Sequence, residues 1–79
     1  MHNIIFGATL RYLRTQRHLS QEELAFESEL DRTYISMLEL GQRSPTLNTL
    51  IALSNGLKMS ASELFLEIAS EIDKNSSDK

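Results

Sequence analysis

The side chains with the most chemical potential in this sequence are clustered between Arg32 and Met37. Arg32, Thr33, Ser36 and Met37 recur at helical intervals, so they share the outer side of one helix whose inner side carries Ile35 and Leu38. A guanidinium, two hydroxyls and a thioether on a rigidly held helix suit the base edges of a DNA major groove. Arginine can bond guanine N7 and O6 together, worth about 1–3 kcal/mol of discrimination, and threonine can offer a methyl to thymine or a hydroxyl to a base or phosphate. Met37 either meets thymine methyls or plays no part. Tyr34 sits at the margin of this face, either near the DNA backbone or half in the core with its hydroxyl emerging. Other chemistry is poorly provided for. There is no nucleophile–base pair, paired acid site or phosphate-cradling glycine loop, so no enzyme is expected. Cysteine is absent and His2 and His18 are isolated, so neither a metal nor any other cofactor is expected.

A reading helix needs a scaffold, and 79 residues allow one small domain in which every element shares a single core. Glycine and proline are sparse and no alternating apolar pattern appears, so the class is all-α. Phe6, Leu10 and Leu13 mark a first helix from about Ile4 to Arg17, with Arg11, Arg14 and Arg17 on another face and His18 at its close. Ser20 with Glu23 forms a capping box that opens a second helix, to about Glu27. Asp31 is expected to cap the third helix with its carboxylate, from Arg32 until Gly41 ends it. After Pro45, Thr46 caps a fourth helix containing Leu47, Leu50, Ile51 and Leu53, which Gly56 closes. Ser60 and Glu63 make a second capping box ahead of Leu64, Phe65 and Ile68. The domain is expected over residues 1–72, with residues 73–79 as a polar, disordered tail.

The net charge of −3 is unusual for a DNA-binding chain, but its distribution matters more than its sum. Every arginine lies between Arg11 and Arg43, whereas Glu63, Glu67, Glu71, Asp73 and Asp78 crowd the C-terminal part, leaving a basic face available.

The second and third helices are too short to be stable alone and are joined by Ser28-Glu29-Leu30, the helix-turn-helix arrangement. Leu24, Ala25, Leu30, Ile35 and Leu38 can all point inward. The ordered set Leu19-Ser20-Gln21-Glu22-Glu23-Leu24-Ala25, Tyr34-Ile35-Ser36, Glu39, Gly41, Arg43, Pro45 and Leu57 to Phe65 resembles the Cro/repressor-type (XRE) helix-turn-helix family. The resemblance covers about Phe6 to Phe65. The run Asp31-Arg32-Thr33-Tyr34-Ile35-Ser36 and the small size further resemble the controller proteins of restriction–modification systems. The resemblance implies a compact five-helix, repressor-like DNA-binding domain. It implies that Ser20 and Gln21 meet phosphate at the start of the second helix, where free amides and the helix dipole favour an anion. It also implies that Arg32, Thr33, Ser36 and Met37 face bases, that Arg43 and Ser44 bind phosphate, and that Asn48 can join them. Arg14 and Glu39 match an ion pair tying the first helix to the end of the third. Arg17 is a surface residue or a phosphate contact.

Two positions depart from the family pattern. Glu29 stands where a glycine usually takes a positive φ, so either the turn has another shape or strain is stored there, with a negative charge near the DNA. Lys58 stands where many relatives carry glycine after the fourth helix.

One short reading helix makes few contacts, so the family implies a symmetric homodimer on an inverted repeat controlling its own promoter. Leu57, Met59, Leu66 and Ile72 are the expected two-fold interface. Glu22, Glu23 and Glu27 form an acidic patch that either is simply solvated or touches RNA polymerase beside a promoter. The competing reading is an antitoxin or protein-interaction module with the same fold, which the acidic balance and Glu29 favour. No apolar run is long enough to cross a bilayer, and a cytoplasmic protein is expected.

Overall fold

The computed structural model describes residues 1–76. These form α1 (His2–Gln16), α2 (Gln21–Ser28), α3 (Arg32–Glu39), α4 (Leu47–Gly56) and α5 (Ala61–Ser76), with no strand among the described residues. α1 packs on α3 and α5, and α2 packs on α3 and α4, with α4 closing against α5. Phe6, Leu10 and Leu13 of α1 meet Leu24 and Ala25 of α2, Ile35 and Leu38 of α3, Leu53 of α4, Leu57 and Leu64 in one buried cluster. Leu30, in the turn, is partly buried against it.

Four helix ends use the same closure, and glycine makes it only at Gly41; α4 ends at Gly56, but its left-handed residue is Lys58. Gly41 has φ 77, and Gln42 N–H reaches back to the Met37 carbonyl at 2.9 Å. His18 (φ 58), Glu29 (φ 58) and Lys58 (φ 61) adopt the same left-handed conformation. Behind them Leu19, Leu30 and Met59 donate to the Arg14, Ala25 and Ser54 carbonyls at 3.2, 2.9 and 2.9 Å. The turn between α2 and α3 therefore keeps the shape that glycine would take, with Glu29 carrying the strain of a side chain at positive φ.

Several expectations need correction. α1 begins at His2, before Ile4, because Ile4 and Ile5 N–H groups already reach the Met1 carbonyl, each at 3.1 Å. Asp31 occupies the N-cap of α3 with extended backbone, yet its carboxylate makes no cap bond; it is exposed and solvated instead. α5 does not end at Ile72 but runs to Ser76, so Asp73 to Ser76 are not a disordered tail. Extending an existing helix costs little, and the added turn is tied by Lys74 Nζ to Glu71 Oε2 at 3.2 Å and Asn75 Nδ2 to the Glu71 carbonyl at 2.7 Å. The rest of the expected tail, residues 77–79, lies outside the described residues. Leu57, expected at a subunit interface, is 0% exposed and belongs to the monomer core, since the turn after α4 folds it inward.

Candidate nucleic-acid interface

The outer face of α3, expected to meet bases, is built by what lies beneath it. Ile35 and Leu38 are fully buried, which fixes the rotation of α3 and leaves Arg32 and Thr33 exposed and Ser36 and Met37 half-buried. Among the described residues no carboxylate lies within ion-pair distance of Arg32 or Arg43. Both guanidiniums are thus available for an anionic or hydrogen-bonding ligand. Glu29 is also exposed, in the turn that precedes α3.

The N-terminus of α2 carries both bonds of a capping box, which leaves the Gln21 and Glu22 backbone amides outside it. Ser20 Oγ accepts from Glu23 N–H at 3.0 Å, and Glu23 Oε1 accepts from Ser20 N–H at 2.8 Å. Gln21, the first residue of α2, is half-buried and donates from Nε2 to Glu39 Oε1 at 3.0 Å. Arg14 reaches the same carboxylate with Nε to Oε2 at 2.6 Å and Nη2 to Oε1 at 3.0 Å, and donates Nη1 to the Leu19 carbonyl at 2.8 Å. Arg14 and Glu39 side chains are only 11% and 4% exposed, so this bidentate pair bolts α1, the start of α2 and the end of α3 together.

Of the other expected site residues, some are engaged within the protein and some lie exposed. Tyr34 is half-buried and its hydroxyl lies 3.1 Å from Thr49 Oγ1, which in turn lies 2.9 Å from Thr46 Oγ1. It therefore braces α3 against the start of α4, where Thr46 also caps Thr49 N–H at 3.1 Å. Arg17 donates Nε to the Leu57 carbonyl at 2.7 Å and Nη1 to the Leu13 carbonyl at 3.2 Å, joining the end of α1 to the end of α4. Ser44 is exposed but gives its hydroxyl proton to Asn3 Oδ1 at 2.9 Å. Arg43 and Asn48 are exposed. Thr49 and Asn3 had no sequence signal, because Tyr34 and Ser44, which they meet, are distant in the chain.

The acidic patch on α2 is partly neutralised. Glu27 Oε1 lies 3.2 Å from Lys58 Nζ, and Glu23 serves the capping box, with Phe26 81% exposed among them. Of the expected interface residues, Leu66 is 70% exposed and Met59 and Ile72 are half-buried. Leu47 (62%), Ile51 (42%) and Phe65 (37%) are further exposed apolar residues of α4 and α5. No group of side chains suited to a metal ion occurs among the described residues, and none of their helices is long and apolar enough to cross a membrane.

A family model described as helix-turn-helix matches residues 10–64. Control protein C.MunI from Mycoplasma sp is 45% identical over 69 residues, covering 86% of this chain and 93% of that protein. Control protein C.BamHI from Bacillus amyloliquefaciens is 39% identical over 62 residues, covering 77% and 76%. Among solved structures, the restriction-modification controller protein C.AhdI from Aeromonas hydrophila has a TM-score of 0.75 at 46% identity, covering 80% of this chain and 96% of that one. The wild-type restriction-modification controller protein C.Esp1396I has a TM-score of 0.84 at 32% identity, covering 94% and 96%.

Proposed function

This chain belongs to the helix-turn-helix family of DNA-binding transcription regulators that includes the restriction–modification control proteins, and we propose that it acts as a homodimer on an inverted-repeat operator at its own promoter. The observation that carries the reading mode is the contrast on α3: Ile35 and Leu38 are 0% exposed while Arg32 and Thr33 project freely. α3 enters the major groove, where Arg32 reads a guanine and Thr33, Ser36 and Met37 contact adjoining bases. Free amides at the start of α2, with Ser20 and the Gln21 side chain, take one phosphate; Arg43 and Asn48 take another across the groove. Ser44 serves there through its backbone, or by releasing Asn3.

An eight-residue reading helix gives one half-site, so two copies are needed for operator-level specificity. Leu47 and Ile51 share one side of α4, and Phe65 and Ile72 share one side of α5, with Leu66 beside them. These exposed apolar groups, with Met59 at the rim, form the two-fold surface in place of Leu57. Glu22, backed by Glu23 and Glu27, meets a basic surface of RNA polymerase when the dimer stands beside a promoter in the cytoplasm.

The test is selection of bound duplexes from random DNA, repeated with Arg32→Ala and Arg43→Ala. Arg32→Ala relaxes specificity at one base position, whereas Arg43→Ala weakens all sites and reduces the salt slope by roughly one. Failure of the parent protein to enrich any sequence would overturn the proposal. For the polymerase contact, Glu22→Gln lowers activation in a reconstituted transcription assay at unchanged operator affinity; loss of both together would refute it.

A further inference from the structure

We infer that Glu39 is a positioning residue for DNA binding, holding the Gln21 amide at the angle that presents its second N–H to a phosphate. This rests on the reading of Gln21 as a phosphate contact. Arg14 alone satisfies both carboxylate oxygens of Glu39, at 2.6 and 3.0 Å, so the third bond, from Gln21 Nε2 at 3.0 Å, is surplus to the ion pair. A carboxylate accepts only, and a primary amide has two N–H groups on one planar nitrogen. Once one N–H is directed at Glu39, the direction of the other is set. An unrestrained glutamine on a helix end would sample many rotamers, whereas Gln21 is held before the ligand arrives. The charge balance also suits the role. An unpaired carboxylate near phosphates would repel them, but Glu39 is 4% exposed and neutralised by Arg14, so it can orient the amide without that penalty. Being the last residue of α3, Glu39 makes the phosphate clamp on α2 and the reading helix move as one body.

The test is a cycle of affinities for the selected operator duplex, using the full chain. Gln21→Ala loses at least about tenfold, as expected for a hydrogen bond to a charged group. Arg14→Met with Glu39→Leu removes the buried pair together, a replacement that such pairs tolerate in stability, and loses about threefold to tenfold. With all three changes combined, the paired substitution adds less than about twofold to the loss from Gln21→Ala, because it acts through that residue. An unchanged affinity in Gln21→Ala would overturn the clamp reading itself. A loss in Gln21→Ala with none in the paired variant would overturn the role of Glu39 alone, as would a paired loss that persists at full size without Gln21. Circular dichroism establishes that each variant is folded at the assay temperature. If the paired variant does not fold, NMR of the unaltered protein decides: the Gln21 side-chain amide resonates downfield of that of the exposed Gln42, and coincident shifts would overturn the proposal.

Discussion

Gly7→Ala is expected to destabilise the protein, although it replaces a helix-interior glycine with the best helix former. Gly7 lies where α1 crosses the C-terminal end of α3. A Cβ there would stand 2.5 Å from the Glu39 carbonyl oxygen and 2.8 Å from its carbon, with the Leu38 carbonyl oxygen also in the way. All three obstacles are backbone atoms, so no side-chain rotation relieves them. Carbon contacts are comfortable near about 3.5 Å, so the helices must separate by roughly 1 Å. Overpacking of this kind costs about 1–3 kcal/mol, occasionally more, against about 1 kcal/mol gained in helix propensity. Because backbone meets backbone, the upper part of that range applies, and a net loss of about 1–2 kcal/mol remains. A domain of this size is stable by only about 4–12 kcal/mol, and each kcal/mol moves Tm by about 4–8 °C, so Tm falls by about 5–15 °C. Thermal melts followed by circular dichroism measure this, with Ala8→Gly on the exposed side of α1 as the comparison for propensity alone. Operator affinity falls with it at a temperature where the variant is folded, because Glu39 and its hold on Gln21 are displaced. A Tm equal to or above that of the parent would refute the close crossing of α1 and α3.

Glu29→Gly relieves a side chain held at φ 58, worth about 1–2 kcal/mol, against roughly 0.5–1 kcal/mol of added chain entropy in the unfolded state. A rise in Tm of a few degrees and tighter operator binding are expected; a lower Tm would show that the turn has another shape. Leu66→Asp, at a position 70% exposed, leaves monomer stability within about 0.5 kcal/mol but raises the dimer dissociation constant by at least about tenfold in analytical ultracentrifugation. Leu57→Ala does the opposite in kind, costing about 2–5 kcal/mol of monomer stability because that side chain is 0% exposed.

The helices were legible because their signals are local. A capping box needs only Ser20 and Glu23, or Ser60 and Glu63, and the helical spacing of Phe6, Leu10 and Leu13 needs only its own turn. The outward face of α3 was legible for the same reason: burying Ile35 and Leu38 dictates where Arg32 and Thr33 point. Burial in helices α4 and α5 was not, since a leucine that repeats at helical spacing looks the same whether it faces a core or a partner. Leu57 went inward and Leu47, Ile51 and Phe65 outward because only the packing of α4 on α2 and α5 chooses among apolar stripes.

The sequence by itself determined the all-α class, the helix-turn-helix and the α3 side chains that face outward, all of which follow from residues within a few positions of one another. Tertiary structure decided which polar groups remain free to meet DNA. Tyr34 is engaged by Thr49, Arg17 by the Leu57 carbonyl, and Gln21 by a carboxylate already held by Arg14. Each of those partners is separated in sequence by at least 15 residues, so nothing but the folded chain brings them within bonding distance.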